Sequence, residues 1–429
     1  MHYVMIGNGV AGITAALKIR ERDRHARISV IGGESDYFFS RTALMYAFMD
    51  RMNPRDLEPY ERKSYDAQRI ERIRGWAAGL DANRKIVRLD DGREIAYDRL
   101  LLAGGSVPNR APWAGLDTVR DGVVQFVSLQ NLADCERLTP STRQAVVAGG
   151  GLIGVELVEC LVHHGVEVDF LVRDSWYWPV ALNREEGAIV SDHIRHCGVR
   201  LHLEQEVDRV TAGADGRVSS VRTNKGVEFP CQLLGTCIGV RPAIDWLKSG
   251  APGLALGRGI KVADDFRASL PDVWAAGDCA EFTRPDGGSL LEQIWYSAKR
   301  QGESAARAML GDTAAYRPPL FYNSAKFFEI EYTTVGEVTR APAGATTFFH
   351  RVPGKDASIR IVENEGAVVG VNLLGSRWNH KWFEKWIAER RSMAHVVANL
   401  HLAQFDVEFG RLALESVRAA FQSAERRAA

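Results

Sequence analysis

Six glycines in two matching groups carry the clearest chemical signal in this sequence. They are Gly7, Gly9 and Gly12, followed about 140 residues later by Gly149, Gly151 and Gly154. In a G-x-G-x-x-G turn, the first glycine permits a tight turn, the second lets the backbone approach a pyrophosphate, and the third allows close helix–strand packing. Free N–H groups at the start of the next helix then hold the phosphate charge. The sequence therefore predicts two dinucleotide sites.

The elements around the glycines support this prediction. Apolar stretches at residues 3–6 and 145–148 precede the two turns, and helical patterns follow them. A second apolar stretch follows each helix, at 28–31 and 166–171. Each group of glycines thus lies in a strand–helix–strand unit, and the chain contains two such units. Two such sites suit a protein that passes a hydride between two bound cofactors.

The residues after each second strand differ. Glu34 lies 22 residues after Gly12, where an acid accepts hydrogen bonds from the adenosine ribose. The second unit has Val172 at that place, followed by Arg173 and Asp174. Arg173 suits the 2′-phosphate of NADPH, whereas Asp174 suits NADH if the register shifts by two residues. The sequence therefore leaves open whether the second site binds NADH or NADPH.

Composition limits the class of protein. The chain has 429 residues, 54 basic and 54 acidic side chains, and a formal net charge of zero, with 46% hydrophobic residues. That length predicts about three domains with substantial cores. Zero net charge argues against a nucleic-acid binder, which needs a positive field.

The cysteines and the apolar stretches of the sequence indicate the cellular compartment in which the protein is expected. The six cysteines are Cys135, Cys160, Cys197, Cys231, Cys237 and Cys279. They form no C-x-x-C pair and no zinc-like Cys/His spacing, so we expect a reducing compartment and no metal site. We see no signal sequence and no run of ~20 apolar residues. We therefore expect a cytoplasmic protein without a transmembrane segment.

Further segments carry a family resemblance. Residues 97–108, 238–242 and 273–280, together with both glycine turns, resemble the FAD-dependent pyridine nucleotide-disulfide oxidoreductase superfamily. The branch most similar in motif contains ferredoxin, rubredoxin and nitrite reductase-like flavoproteins. The resemblance covers roughly residues 1–310 and implies an α/β fold of two Rossmann-like dinucleotide-binding domains (glutathione-reductase-like) plus a C-terminal α+β interface domain. The implied domains are FAD-binding 1–116 and 245–315, NAD(P)-binding 117–244, and C-terminal 316–429.

The resemblance also implies cofactor contacts. In this family, an aspartate at the place of Asp278 accepts a hydrogen bond from the ribityl chain, and a helix beginning near Trp295 points at the isoalloxazine. Trp295 also suits ordinary interdomain core. Gly104 stands where the family has threonine. The implied FAD residues are Gly7, Gly9, Gly12, Glu34, Arg41, Ala103, Gly104, Gly277, Asp278 and Trp295.

For NAD(P)H, the family glutamate that reaches the nicotinamide carboxamide corresponds to Glu156. Gly239 lies on the strand by which the chain leaves the NAD(P)-binding domain. Glu156 and Trp295 are the two residues that we expect nearest the nicotinamide and flavin, and no residue is assigned as a certain catalytic group. The implied NAD(P) residues are Gly149, Gly151, Gly154, Glu156, Arg173 and Gly239.

One departure from the family is informative. Members that reduce disulfides or cycle a sulfenic acid carry a cysteine within the segment that corresponds to residues 38–44. This chain has Arg41 there and no cysteine before Cys135. The segment is more similar to the ferredoxin reductase version, in which an arginine contacts the flavin cofactor, although Tyr46 replaces a lysine often found there. A protein thiolate is therefore unavailable at that position.

The resemblance implies a flavoprotein that passes a hydride from NAD(P)H to FAD. Electrons then go to an acceptor such as a ferredoxin- or rubredoxin-type carrier, without a catalytic thiol. Two alternatives stay open: an FAD-bearing electron-transfer or scaffold subunit of a larger redox complex, and a quinone- or diaphorase-type NAD(P)H dehydrogenase. The implied partners are a small iron–sulfur carrier or a larger redox complex; an oligomer is compatible, and nucleic acid is not expected.

The last third has a different pattern. Strands are predicted at 326–332, 358–362 and 367–373, and helix from about 382 to the end. Trp378, Trp382 and Trp386 recur every four residues, which places them on one helical face. That face suits a partner surface, an interfacial membrane helix or packing on the domain's own sheet. Residues 176–178, Trp-Tyr-Trp, either line the nicotinamide approach or cap a core.

Overall fold

A computed structural model describes residues 1–283, 287–312, 315–339, 341, 343–405, 412 and 414–428. The chain forms two compact units. The first unit comprises Met1–Arg110, Phe126–Glu136 and Gly239–Pro318, and the second comprises Ala111–Gln125, Arg137–Ile238 and Pro319–Ala429. The three-domain boundaries given above remain a prediction.

A five-stranded parallel sheet forms the centre of the first unit. Its strands, in order, are Val273–Ala275, Arg99–Leu102, His2–Ile6, Arg27–Gly32 and Ile70–Arg74. Helices cover a parallel sheet on both faces, so its central strands are apolar throughout. The helices Val10–Arg22 and Trp295–Met309 pack so closely at Gly302 that there is no room for a side chain there. A Cβ on Gly302 would lie 2.4 Å from the Ala11 carbonyl oxygen.

Smaller elements complete the first unit. Two three-stranded sheets consist of Ala77–Asp81, Ile86–Leu89 and Glu94–Ala96, and of Ile260–Val262, Ala280–Thr283 and Ser289–Leu290. Ser106–Pro108 pairs antiparallel with Val240–Pro242. The remaining helices are Leu44–Phe48, Arg62–Ala67, Asp245–Gly250 and Leu129–Leu138, which begins in this unit, with 3-10 turns at Arg41–Ala43 and Pro54–Leu57.

The second unit contains another five-stranded parallel sheet. Its strands, in order, are Arg200–Leu203, Glu167–Val172, Gln144–Ala148, Leu233–Thr236 and Val123–Val124. Its helices are Leu152–His163 and Arg184–His196, with 3-10 turns at Leu116–Thr118 and Thr139–Ser141. An antiparallel sheet of Val207–Ala212, Val218–Thr223 and Glu228–Pro230 follows. The sheet order in both units confirms the Rossmann-like expectation.

The C-terminal part of the second unit is an antiparallel sheet with helices. Its strands, in order, are Tyr322–Phe327, Ile330–Gly336, Ala367–Leu374, Ser358–Asn364 and Thr346–Arg351. The helices are His380–Ala388, Met393–Asn399 and Glu415–Ala428, with a 3-10 turn at Leu400–Ala403. The strands predicted at 358–362 and 367–373 are confirmed. Residues 406–411, 413 and 429 of the predicted helical stretch lie outside the described residues.

The prediction of one strand over residues 326–332 is wrong. Phe327 pairs with Ile330, so the chain reverses direction at Phe328 and Glu329. Phe328 has a left-handed φ of 54°, which a two-residue hairpin turn requires. The segment has no glycine, asparagine or proline at the turn, so the sequence pattern gave no sign of it.

A buried ion pair attaches this sheet to the helix Arg184–His196. The Arg360 Nη2 lies 2.8 Å from the Glu186 Oε2, and Glu186 is fully buried. The Asn372 amide also donates to Glu186, at 3.2 Å. Burial raises the pKa of Glu186, and the Arg360 guanidinium opposes that effect. Removing either partner would leave an uncompensated buried charge.

The three tryptophans pack inside the C-terminal part. Trp378 precedes the helix, which begins at His380, so the prediction that all three share one helical face is wrong. Trp378 and Trp386 are buried with Phe383 in the core beneath the sheet, and the Trp382 and Trp386 rings lie 5.7 Å apart. Packing on the domain's own core is therefore their observed role.

The Trp-Tyr-Trp segment also packs in a core. Tyr177 is fully buried, with its ring 5.7 Å from Phe327, and Trp178 lies 5.3 Å from Tyr332. These contacts are those of a core cap between the parallel sheet of the second unit and its C-terminal sheet. Among the described residues, no helix is both long and apolar enough to cross a membrane.

Candidate functional site

The first glycine turn joins the strand His2–Ile6 to the helix Val10–Arg22. Gly7 has a φ of 116°, and a Cβ there would lie 2.0 Å from the Ala103 carbonyl oxygen. A Cβ on Gly12 would lie 2.0 Å from the Gly7 carbonyl oxygen. Gly9 caps the helix, and no described atom lies within 4 Å of its Cβ position. The backbone is therefore open where a phosphate would meet the helix N-terminus.

Glu34 and Arg41, predicted separately as FAD contacts, lie together in the structure. The Arg41 Nη2 is 2.7 Å from the Glu34 Oε2, and the Leu129 N–H donates to Oε1 at 2.9 Å. The Arg41 guanidinium also stacks over the Phe39 ring, 5.0 Å from its centroid. A carboxylate has about four acceptor positions, so Glu34 retains capacity for a ribose hydroxyl.

Two neighbouring strands bring the other predicted FAD segments to the same sheet edge. Ala103 follows the strand Arg99–Leu102, and its N–H donates to the Ile6 carbonyl at 2.8 Å. Gly277 follows the adjacent strand Val273–Ala275, has a φ of 81°, and donates its N–H to the Gln301 side chain at 2.8 Å. A Cβ on Gly104 would meet only an ordinary contact, so the absent threonine causes no local strain.

Asp278 is held by a chain of side chains. Ser106 Oγ donates to the Asp278 Oδ2 at 2.8 Å, and the Gln293 amide donates to Ser106 Oγ at 2.8 Å. Burial raises the pKa of Asp278, while the Ser106 hydrogen bond and the Arg41 guanidinium oppose this. The sequence reading missed Ser106 and Gln293; the one available signal was the position of Ser106 directly after Gly104 and Gly105.

Four buried polar atoms in these segments have no protein partner among the described residues. Two are the Trp295 Nε1, at the first residue of the helix Trp295–Met309, and the Asn8 Oδ1, inside the first glycine turn. The other two are the Tyr97 Oη and the Trp274 Nε1. Buried polar groups are normally hydrogen-bonded, so these atoms fit contact with a polar ligand. The residues of the first unit thus fit FAD, with the individual contacts still predictions.

The second glycine turn repeats the geometry of the first. Gly149 has a φ of 118°, and a Cβ there would lie 2.1 Å from the Cys237 carbonyl oxygen. A Cβ on Gly154 would lie 2.0 Å from the Gly149 carbonyl oxygen, and the Cβ position of Gly151 has no described atom within 4 Å. This turn therefore presents a second open helix N-terminus, which fits the pyrophosphate of NAD(P)H.

The strand after this turn ends without an acid. Val172 is buried and packs against Gly150, where a Cβ would lie 2.8 Å away. The Arg173 side chain is 73% exposed, and its Nε is 3.9 Å from the Asp174 carboxylate. A guanidinium so loosely paired is accessible to a 2′-phosphate. Gly239, with a φ of 92°, is grouped with the first unit, and its carbonyl accepts from the Asn109 N–H at 3.0 Å.

Glu156 lies on the helix Leu152–His163, one turn before Glu159. Burial and the Glu159 carboxylate raise the pKa of Glu156 to about 8, and the Lys326 ammonium opposes them. Lys326 Nζ is 2.5 Å from the Glu159 Oε1. Burial and the nearby Glu156 also raise the pKa of the Tyr177 hydroxyl. The helix Leu152–His163 therefore carries an acid that keeps its proton near neutral pH. Lys326, in the C-terminal sheet, was not anticipated.

Comparison with known proteins gives the family and the fold. The sequence model of the pyridine nucleotide-disulphide oxidoreductases matches residues 1–309. The ferredoxin–NAD(+) reductase subunit of the benzene 1,2-dioxygenase system of Pseudomonas putida is 31% identical over 315 residues, which are 72% of this chain and 74% of that protein.

Two solved structures share the fold. An NAD-dependent persulfide reductase from A. fulgidus superimposes with a TM-score of 0.86 at 23% identity, covering 100% of this chain and 84% of that one. Putidaredoxin reductase in its covalent complex with putidaredoxin gives 0.80 at 21% identity, covering 91% and 93%. The FAD and NAD(P)H expectations are thereby confirmed. The chain is an FAD-dependent NAD(P)H oxidoreductase and belongs to the pyridine nucleotide-disulphide oxidoreductase family.

Proposed function

We propose that this protein delivers electrons from NAD(P)H, by way of FAD in the first unit, to a small iron–sulfur carrier of the ferredoxin or rubredoxin type. FAD, when bound, accepts a hydride and releases electrons one at a time. The observation that carries the proposal is Arg41, which stands where thiol-using members of the family have a cysteine, with no cysteine before Cys135. The Pseudomonas putida relative, named as a ferredoxin–NAD(+) reductase, supports the same acceptor class.

In the first unit, each proposed role follows from a described contact. The open N–H groups after Gly9 hold the diphosphate, and Glu34 accepts from the ribose. Asp278 accepts from the ribityl chain, and Ser106 orients its carboxylate through the 2.8 Å hydrogen bond. The indole N–H of Trp295 is left to donate to the bound cofactor.

In the second unit, Gly151 opens the helix N-terminus to the nucleotide pyrophosphate. Glu156, protonated below its raised pKa, donates a hydrogen bond to the carboxamide oxygen and so orients the nicotinamide ring. Arg173 meets a 2′-phosphate when one is present. These assignments require no proton or electron to pass through a protein thiol.

The test uses the full chain reconstituted with FAD. Its flavin is reduced anaerobically by NADH and by NADPH in separate stopped-flow runs, and turnover is then measured with a ferredoxin, a rubredoxin, a quinone and oxygen. We expect an iron–sulfur carrier to be reduced at least about tenfold faster than quinone or oxygen. Alkylation of accessible thiols with iodoacetamide serves as the control and should leave turnover unchanged.

Other outcomes contradict the proposal in distinct ways. Faster turnover with quinone indicates the diaphorase-type alternative. Weak turnover with every acceptor, together with stoichiometric co-purifying partners, indicates a subunit of a larger redox complex. Flavin that neither nucleotide reduces contradicts the assignment of the second unit as the nucleotide site.

A cytoplasmic location belongs to the same proposal. It is supported by the six free cysteines, five of which are buried and none of which forms a disulfide. Such thiols persist in a reducing compartment. Fractionation of the native host tests this point directly.

A further inference from the structure

Three residues with metal-binding side chains meet at one end of the helix Arg184–His196. His193 lies in its last turn, Cys197 caps it four residues later, and Glu329 is in the hairpin turn of the C-terminal sheet. One ligand atom from each lies within 4.8 Å of the others. The His193 Nε2 is 2.9 Å from the Glu329 Oε2, and the Cys197 Sγ is 3.8 Å from that same oxygen.

A fourth residue fixes the imidazole. The Nδ1 of His193 lies 2.9 Å from the Asp356 Oδ2. A neutral imidazole has one N–H, so if Nδ1 donates to Asp356, the lone pair of Nε2 faces the Glu329 carboxylate. In that tautomer two acceptors face each other at 2.9 Å, and a metal cation bound by both removes their repulsion, as a proton on Nε2 also would. Histidines that bind a metal almost always donate their other N–H to such a carboxylate.

Cys197 faces the same oxygen of Glu329 as His193 does. It is the one cysteine of the six that is not buried. Its Sγ lies 3.8 Å from the Glu329 Oε2. Coordination to a metal releases the thiol proton to solvent, so the thiolate is the ligand.

We propose that His193, Cys197 and Glu329 form a Zn²⁺ site, with a fourth position open to water. A thiolate, an imidazole and a carboxylate are the ligand types that zinc accepts, and the thiolate disfavours magnesium or calcium. Asp356 acts as the outer carboxylate that sets the imidazole tautomer. Glu329 is 132 residues from Cys197, so sequence spacing alone predicted no metal site.

The bound ion would link the C-terminal hairpin to the end of the helix Arg184–His196. The same hairpin carries Lys326, whose ammonium contacts Glu159 on the helix Leu152–His163. The site thus stabilises the position of a charge that acts on Glu156. It is independent of the acceptor, since no step of electron transfer involves these ligands.

The test uses the full FAD-loaded protein, freed of metal by a chelator and desalted. Zn²⁺ affinity is measured by competition with a chromophoric chelator, and Co²⁺ is titrated as a spectroscopic probe. We expect one equivalent of metal and a thiolate-to-cobalt charge-transfer band. Cys197→Ser should abolish the band, His193→Gln should weaken Zn²⁺ binding at least tenfold, and Asp356→Asn should weaken it several-fold.

His196→Gln is the matched control, because His196 is an exposed histidine on the same helix and should leave affinity and band unchanged. The proposal is overturned if the wild-type protein gives no charge-transfer band. It is equally overturned if Cys197→Ser retains the band or binds Zn²⁺ as tightly as the wild type. Circular dichroism confirms that each variant remains folded, and the wild-type cobalt spectrum is decisive even if one variant does not fold.

Discussion

The two nucleotide units share one backbone and differ in their side chains. Gly7 and Gly149 have φ values of 116° and 118°, and their Cβ positions lie 2.0 and 2.1 Å from a carbonyl oxygen of the facing strand end. After the second strand, however, the first unit has Glu34, held by Arg41 and a backbone N–H, whereas the second has Val172 and an exposed Arg173. The geometry of the glycine turn is therefore common to both units, and the residues after the second strand differ in charge and exposure.

The helices that follow the turns also differ. The one acid of the helix Val10–Arg22 is Glu21, which is exposed in its last turn. The helix Leu152–His163 instead carries Glu156 and Glu159 in its middle, and Glu159 pairs with Lys326. Under the proposed function, the first site retains a cofactor, whereas the second has a titratable group beside an exchanging substrate.

The largest expected effect comes from breaking either turn. Gly7→Ala should abolish FAD retention, and Gly149→Ala should leave a yellow protein that NAD(P)H no longer reduces at a measurable rate. A Cβ at φ near 117° costs about 2 kcal/mol in backbone strain before the carbonyl clash is added. Flavin absorbance and anaerobic reduction separate the two outcomes.

Gly9→Ala and Gly151→Ala are the matched controls, since neither added Cβ meets a described atom. They control for folding. Both should keep the melting temperature of the nucleotide-free wild type, so any loss of nucleotide affinity in them does not come from misfolding. Normal flavin content in Gly7→Ala would refute the assignment of the first turn to FAD.

The next largest effect is a pH dependence of stability that comes from the ionisation of Glu156. The pKa of Glu156 is about 8 in the folded protein and near 4.5 in an unfolded chain. Its contribution to the free energy of unfolding is therefore complete below about pH 4.5 and is lost as pH rises through 8. Glu156→Gln stays neutral, and the wild type should lose about 4 kcal/mol relative to it between pH 5 and pH 9. Urea unfolding of the nucleotide-free protein measures this difference.

Lys326→Met sharpens the same point. Because the Lys326 ammonium lowers the pKa of Glu156, its removal should raise that pKa further and move the pH dependence of flavin reduction upward. Lys225→Met, at an exposed position of the same unit, is the control. A profile that stays in place would show that the C-terminal sheet does not act on Glu156.

A smaller effect tests nucleotide choice. Arg173→Ala should lower kcat/KM for NADPH about tenfold and leave that for NADH nearly unchanged, because only NADPH offers a 2′-phosphate to the guanidinium. Steady-state reduction of ferricyanide with each nucleotide gives the ratio. Equal losses with both would place Arg173 on the pyrophosphate instead.

The smallest effect is at the first unit. Glu34→Gln retains an acceptor for the Leu129 N–H and loses only the charge that pairs with the partly exposed Arg41. We expect FAD affinity to fall about threefold to tenfold, since such pairs contribute up to about 1 kcal/mol. Fluorescence titration of FAD measures it, with Glu21→Gln as a control at an exposed helix position. A loss of a thousandfold would mean that Glu34 has another role.

Local signals account for what the sequence predicted. The glycines at positions 7, 9 and 12 and their later counterparts impose a backbone that few other residues adopt, so the turns and flanking parallel strands are where they were expected. The family resemblance then supplied the cofactors and the thiol-free chemistry.

Non-local contacts account for what it missed. The hairpin at Phe328 and Glu329 has no glycine, asparagine or proline to mark its turn, and Trp378 joins a core although it precedes the helix. Ser106 meets Asp278 across 172 positions of sequence, and Lys326 meets Glu159 across 167. Such pairs arise from packing of distant segments, which the spacing of residues does not encode.

The buried pair of Arg360 and Glu186 limits how the C-terminal sheet can be exchanged among relatives. A chimaera that imports a foreign sheet without an equivalent of Arg360 would leave the fully buried carboxylate of Glu186 without its ion-pair partner. The helix Arg184–His196 and the sheet therefore have to be transplanted as one piece. For protein engineers, the natural cut lies before Asn183 rather than at the start of the C-terminal sheet, with the intervening strands carried along.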